Sequence, residues 1–352
     1  MTTYETDANA GADGKDIRSN ALVPVPADDA EGNERVRGIR RIWSWRRHLS
    51  RRVLRTSGIV LITASVLNWT VGAAAVHNIS TDVDFAPPVH MTGGSAAVSI
   101  AAALVDREIN QNAWTPNDPW FTPGGFLDNM PNYQMGILRA VGRFSFELLD
   151  EIARTRGSSS NDPDLERAAG FLQFPPDIWI VNTSKSILPT IPSEQQYRTG
   201  LRSLLRYNER VELGQAVFDR RADAFGRTMQ RIAADLGAQT AAIERTRPGG
   251  WWVFNHQADD LFYHNKGMLY AYYMILDALG SDFEALIRER GVTLVWTRAL
   301  QNLERASQLR PMVVLNGNSD RSIFANHLML QGFYLKRAIL QLEEVASVLA
   351  VS

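Results

Sequence analysis

The stretch from Ser57 to Val76, SGIVLITASVLNWTVGAAAV, most constrains what this chain can fold into, because its 20 residues carry no charge. A helix rises 1.5 Å per residue, so a segment of this length covers about 30 Å of hydrocarbon. We therefore predict one transmembrane helix over residues 57–77. Within it, Asn68 is either a tolerated polar residue near the far interface, beside Trp69, or the mark of a helix–helix contact.

The residues before this span predict its orientation. Residues 35–56 form a juxtamembrane segment with nine arginines and two tryptophans. Basic residues are enriched on the cytoplasmic side of membrane helices, so we expect a cytoplasmic N-terminus and a distal domain in the periplasm, anchored in a bacterial inner membrane. A basic block placed against a span favours anionic lipid rather than nucleic acid as its partner. The side chains expected to contact lipid headgroups are Arg40, Arg41, Arg46, Arg47, Arg51 and Arg52.

An alternative is a cleavable signal sequence, because Ala73–Ala75 resembles a signal-peptidase site. More than 50 residues precede it, which is too long for an ordinary signal peptide and favours an uncleaved anchor. Residues 1–34 carry eight acidic and two basic side chains and are poor in aromatics, which predicts a disordered, acidic cytoplasmic tail. The chain has no cysteine, which excludes disulfides, thiolate metal sites and a cysteine nucleophile.

The rest of the chain is predicted to be mainly α. Residues 78–94 are predicted to be an extended linker ending in a turn, and residues 95–352 a periplasmic domain of about eight helices with long loops rich in aromatics and proline. Ser95 is the predicted N-cap of a helix to about Asn110, with Glu108 facing solvent. Ser193 and Gln196 form a capping-box pattern that opens a helix, which either ends near Ala216 or continues to Leu236.

For some segments the sequence is compatible with two structures. Either residues 178–181 form a short strand that pairs with residues 312–315, or both segments are irregular. Three helices begin with similar sequences that place Gly136, Gly267 and Gly332 among bulky apolar residues. A glycine inside a helix usually marks close packing, and the alternative interpretation is a divergent internal repeat.

The loop over residues 112–132 offers carboxylates beside aromatic rings. Asp118 and Asp128 could serve as the acid and base of a glycan-cleaving enzyme, which needs two carboxylates with different pKa values. The competing interpretation is that Asp and Asn cap helices while tryptophans fill the core. Residues predicted to contact a binding partner are Trp120, Asn129, Tyr133, Trp251 and Trp252.

A second constellation is His256, Asp260 and His264, spaced at i, i+4 and i+8. Imidazole and carboxylate suit zinc or iron, but helix capping and polar packing explain the same residues. We therefore predict neither a metal nor another cofactor. Phosphate-binding, dinucleotide-binding and serine-hydrolase motifs have no match in the sequence.

Several long runs resemble a known family. They include GGSAAVSIAAALVDREINQNAWTPNDPW and its continuation to residue 174, YNERVELGQAVFDRRADAF, ADDLFYHNKGMLYAYY and VVLNGNSDRSIFANHLMLQGFYLKRA. Together they are similar, over about residues 90–350, to DUF2333, a domain of unknown function in proteobacterial envelope proteins. The resemblance implies an inner-membrane protein of Gram-negative bacteria, and it implies no activity.

These observations favour a single-pass membrane protein whose helical domain binds a protein or another envelope component, because loops rich in Trp, Phe and Tyr are typical of interaction surfaces. One alternative is a periplasmic enzyme acting on glycan or lipid. Another is a lipid-binding domain, which needs an apolar cavity of at least about 300 Å³.

Overall fold

The computed structural model describes residues 51–156, 161–181, 188–246, 256–311 and 327–350, with the main chain alone at residues 51, 52, 155 and 156. The described residues are mostly helical and contain no strand, which confirms the predicted fold class. Residues 178–181 are irregular, and residues 312–315 lie outside the described ranges. The helices are α1 (Arg51–Val76), α2 (Ala96–Asp106), α3 (Asn129–Arg156), α4 (Pro163–Leu172), α5 (Ser193–Glu212), α6 (Ala222–Arg245), α7 (His256–Asp282), α8 (Glu284–Glu289), α9 (Thr293–Gln308) and α10 (His327–Ala350).

Helix α1 is long and apolar enough to cross a membrane. Its segment Val53–Val76 has a mean hydropathy of 1.9, and none of the most apolar stretch is buried inside the protein. The chain divides into two compact units, Met1–Thr63 and Ala64–Ser352. The second unit contains the last 13 residues of α1 and all later helices, and its structure is described below.

Helix α7 forms the centre of the second unit, where it packs against α2, α3 and α9. Residues 265–272 of α7 are all buried, as expected for a helix with neighbours on every side. The closest approach is to α3: a Cβ atom added to Gly267 would lie 2.0 Å from the Tyr133 carbonyl oxygen, and one added to Gly136 would lie 2.1 Å from that of His264. Close packing is thus confirmed for these two glycines, whereas Gly332 makes only ordinary contacts.

The start of α2 is held from a distance. The Ser95 hydroxyl accepts a hydrogen bond from the Val98 amide at 3.3 Å, which confirms the predicted cap. The Asp282 carboxylate, at the end of α7, accepts hydrogen bonds from the amides of Ala96 and Ala97, each at 3.0 Å. A carboxylate at a helix N-terminus satisfies free N–H groups and complements the helix dipole, so Asp282 joins α7 to α2.

Two local predictions were wrong, and one open alternative is decided. The main chain after Asp106 widens into a π-helical turn, Arg107–Gln111, and Glu108 is fully buried instead of facing solvent. Ser193 does not cap α5, because its hydroxyl donates to the Pro175 carbonyl oxygen at 2.7 Å. Helices α5 and α6 are separate, with Gly214 at φ 70° in the turn between them.

Candidate functional site

The loop of residues 112–132 packs against the end of α1. A Cβ atom added to Gly72 of α1 would lie 2.7 Å from Cγ of Pro123, so the proline ring rests on the glycine. One turn earlier, the rings of Trp69 and Phe126 meet edge to face with centroids 5.3 Å apart. These contacts hold the loop directly beside the apolar helix.

The tip of this loop, residues 119–127, is a compact series of turns. The amides of Thr122, Gly125 and Leu127 donate to main-chain carbonyl oxygens of Pro119, Thr122 and Gly124 at 2.9–3.2 Å. Gly125 is required for this tightness, since an added Cβ would lie 2.2 Å from the Pro119 oxygen. Three aromatic side chains of the tip remain exposed: Trp120 (69%), Phe121 (49%) and Phe126 (61%).

Asp118 folds back onto this tip. Its carboxylate lies against Gly124, where an added Cβ would be 2.0 Å from Oδ2, and the neighbouring Thr122 and Gly124 amide lower its pKa. The Thr122 hydroxyl donates to the Pro119 carbonyl oxygen at 2.7 Å. Burial is the larger influence and, together with the nearby charge of Glu194, raises the pKa of Asp118 above its ordinary value. Asp118 therefore organises the loop.

The linker after α1 is fastened to the domain by two buried tyrosines. The Tyr270 hydroxyl donates to the Asp82 carbonyl oxygen at 2.6 Å, and the Tyr133 hydroxyl donates to the Ser80 carbonyl oxygen. Tyr133 is fully buried, so its side chain anchors the linker and does not face solvent. The connection between α1 and the domain is therefore fixed at Ser80 and Asp82.

Arg107 connects both tyrosines. Its guanidinium donates to the hydroxyls of Tyr270 at 3.0 Å and Tyr133 at 3.4 Å, and to the carboxylate of Glu108 at 2.8 Å. The rings of Phe85 and Tyr270 lie 4.9 and 5.0 Å from its central carbon. Burial alone would lower the pKa of Arg107, but Glu108 and the two tyrosine oxygens outweigh it and raise the pKa, so the side chain stays charged. We name Arg107, Glu108, Tyr133 and Tyr270 the linker clamp.

Sequence reasoning missed the linker clamp. The signal in the sequence is an Arg–Glu pair at the end of an otherwise apolar helix, but regular helical spacing puts Glu108 on the outer face. The π-helical turn changes that spacing, and such turns occur frequently at functional sites.

A cluster of carboxylates lies where α3 begins and α7 begins. Asp128 accepts a hydrogen bond from the Asn129 amide at 2.9 Å, and Asn132 donates to Asp260 at 2.8 Å. Burial, followed by the negative charges of Asp128 and Asp260, raises the pKa of Asp259 to about 6. Burial and Asp128 also raise the pKa of Asp260. The structure thus brings Asp128 and Asp260 together, whereas Asp118 has other partners.

The histidines of the alternative metal constellation, His256, Asp260 and His264, lie in two different environments. His256 is exposed and its charge acts on Asp259 and Asp260. His264 lies beside Arg139 and Asp235, and burial, followed by the positive charge of Arg139, lowers its pKa to about 4. Within the described ranges, no group of three or more His, Asp or Glu side chains is placed to hold a metal ion.

Several predicted contact residues lie outside the described ranges: Arg40, Arg41, Arg46, Arg47, Trp251 and Trp252. Arg51 and Arg52 begin α1, and only their main chain is described. Trp120 is exposed on the loop tip, and Asn129 begins α3, partly exposed.

A cavity lies between α3, α5, α6 and α7, lined by Leu148, Ile152, Tyr207, Phe218 and Phe225 among others. It has a volume of about 20 Å³, which is room for about one water molecule. An acyl chain needs at least about 300 Å³, so this cavity does not accommodate a lipid.

Comparison with known proteins identifies the family. Residues 59–247 and 244–351 match the family model described as "Uncharacterized protein conserved in bacteria (DUF2333)". These matches cover most of the chain, and the protein belongs to the DUF2333 family. No curated protein and no solved structure matches the chain.

Proposed function

We propose that this protein is a single-pass protein of the bacterial inner membrane, with its N-terminus in the cytoplasm and its helical domain in the periplasm. Helix α1 supplies the span, and the nine arginines before it favour this orientation. The packing of Pro123 on Gly72 and the linker clamp support a domain held in a fixed position next to the membrane. On this proposal the domain binds a protein partner of the cell envelope in an accessory or scaffolding role.

The observation that carries partner binding is a ridge of exposed side chains on α10. Leu330, Phe333 and Leu340 lie on one side of the helix and are 41–65% exposed, while Leu335 and Leu342 on the other side are buried in the domain. Arg337 lies 5.6 Å from the Phe333 ring centroid. Exposed aliphatic and aromatic residues with an adjacent arginine are the composition of protein-binding surfaces, and a ridge of this spacing suits the groove of another protein.

The alternative function of a glycan-cleaving enzyme has less support than partner binding. Asp118 and Asp128 have different neighbours, so the observed contacts give no support to the carboxylate pair that glycan cleavage requires. Asp128 accepts a hydrogen bond from the Asn129 amide at the start of α3, which accounts for its position without a reaction.

Photo-crosslinking in living cells tests the proposal. A photoreactive phenylalanine analogue at position 333 should give a discrete adduct with a membrane or periplasmic protein. Leu340→Asp should abolish that adduct, because a charge in an apolar contact is costly. Leu213→Asp is the matched control, since Leu213 is exposed to nearly the same extent (62% against 65%) but follows α5. No adduct, or an adduct that Leu340→Asp leaves unchanged, would contradict partner binding by α10.

A further inference from the structure

We infer that the loop tip, residues 119–127, is inserted into the interfacial layer of the same bilayer that α1 crosses, so that lipid covers Trp120, Phe121 and Phe126. The inference rests on the proposal that α1 spans the membrane. This apolar surface is distinct from the ridge on α10, and lipid at the membrane surface covers it.

The depth of Trp69 in the bilayer sets the depth of the loop tip. The uncharged part of α1 runs from Thr56 to Val76, 21 residues, and a crossing requires about 20. Trp69 lies seven residues before Val76, which is about 10 Å along the axis. Trp69 therefore lies about 10 Å inside the end of the uncharged stretch, at the limit of the roughly 5–10 Å to which the apolar groups of interfacial segments penetrate. Because Phe126 touches Trp69 and Pro123 touches Gly72, the tip lies at the same depth.

The chemistry of the tip suits a medium with little water. Its nine residues, PWFTPGGFL, carry no charge. The amides of Thr122, Gly125 and Leu127 are satisfied within the tip, and the Gly124 amide lies beside the Asp118 carboxylate. Unsatisfied main-chain groups are expensive in a bilayer, so this local pairing lowers the cost of insertion.

A neighbouring segment extends the apolar surface. The Trp179 ring meets the Phe121 ring edge to face, with centroids 5.8 Å apart. Next to it, Ile180 is exposed and its carbonyl oxygen accepts a hydrogen bond from the Thr190 amide at 2.7 Å, which brings exposed Ile191 to the same region. Large exposed apolar surfaces mark interaction sites, and continuity with α1 identifies this one as facing lipid.

Site-specific labelling of the full chain in nanodiscs tests the inference, and the natural absence of cysteine makes it practicable. Trp120→Cys and Phe126→Cys report on the tip, and Trp120→Cys leaves the Trp69–Phe126 contact intact. Phe333→Cys, an exposed aromatic on α10, is the aqueous control, and Leu61→Cys in α1 is the lipid control. Each cysteine carries an environment-sensitive fluorophore, which is challenged with iodide in water and with nitroxide attached to lipid.

The expected result is that lipid-attached nitroxide quenches the labels at positions 61, 120 and 126, and that iodide quenches only the label at position 333. If positions 120 and 126 behave like 333 while 61 behaves as lipid-embedded, the inference is overturned and the span stands. If position 61 is also quenched by iodide, the proposed span itself fails.

A second pair of variants tests the contact that sets the depth. Gly72→Leu places a side chain against the Pro123 ring, whereas a side chain at Gly58 meets open space. Both changes add the same apolar volume to α1, so α1 should remain inserted in both. The labels at positions 120 and 126 should become accessible to iodide in the Gly72→Leu background and stay protected with Gly58→Leu. Equal protection in both backgrounds would overturn the role of the Gly72–Pro123 contact.

Discussion

The contacts of the linker clamp predict how much stability the protein loses when Arg107 is replaced. Arg107→Met keeps most of the apolar side-chain length but leaves the fully buried Glu108 carboxylate without its guanidinium partner. Removing one member of a buried ion pair costs about 3–5 kcal/mol, because the remaining charge stays out of water. The tyrosine hydroxyls also lose a donor, so the upper part of this range is expected.

Thermal unfolding followed by circular dichroism, on the full chain in detergent micelles, measures this cost. For a domain of this size each kcal/mol lowers the midpoint by roughly 2–4 °C, so Arg107→Met should lower it by roughly 6–20 °C. Arg288→Met is the control, because Arg288 and Glu284 form an exposed pair worth about 0–1 kcal/mol. Adding Glu108→Gln to Arg107→Met should recover part of the loss by removing the buried charge. The reasoning is refuted if Arg107→Met and Arg288→Met unfold at the same temperature.

Further predictions concern the α3–α7 crossing and the carboxylate cluster. Gly267→Ala should lower the unfolding midpoint by the equivalent of about 1–3 kcal/mol, because the added Cβ would overlap the Tyr133 carbonyl oxygen. Gly237→Ala is the control: its Cβ would lie in open space on α6, and it should raise the midpoint slightly. Equal midpoints for the two variants would contradict the close crossing of α3 and α7. Asp259 has a pKa of about 6 in the folded protein, so it binds its proton more tightly there than in the unfolded chain. The protein therefore loses stability as the pH rises from about 4 to 6. The raised pKa of Asp259 destabilises the folded protein by at most about 3 kcal/mol at pH 7, and partial exposure reduces this to about 1 kcal/mol. Asp259→Asn should therefore raise the unfolding midpoint at pH 7 and leave it unchanged near pH 4. The lowered pKa of His264 has the opposite effect, because the protein loses stability as the pH falls from about 6.5 to 4. His264 is present in both the parent and Asp259→Asn, so its contribution cancels when their midpoints are compared. A midpoint for Asp259→Asn that equals the parent value at both pH values would show that Asp259 titrates normally.

Helix assignment followed from local pattern wherever the chain is regular. The apolar spacing of residues 293–308 predicts a helix with these bounds, and helix α9 begins and ends at Thr293 and Gln308. The glycines at 136 and 267 were predictable as packing positions, since few other reasons place glycine inside an apolar helix.

The candidate site depends on contacts that no local pattern contains. Burial of Glu108 depends on a π-helical turn, and the hydroxyl of Ser193 is engaged by Pro175, 18 residues earlier in the chain. The sequence shows that the loop of residues 112–132 is too aromatic for a solvated connector. Its partner, the end of α1, lies more than 40 residues away and emerges only from the fold.

The sidedness of the domain is the most direct test of the central claim, that α1 anchors a periplasmic domain. Glu284→Cys, exposed on α8, and Ser19→Cys, in the N-terminal tail, supply single thiols for labelling by a membrane-impermeant maleimide. In cells with a permeabilised outer membrane and an intact inner membrane, position 284 should be labelled and position 19 should react only after lysis. Labelling of position 19 but not 284 in unlysed cells, or of neither, would contradict the account.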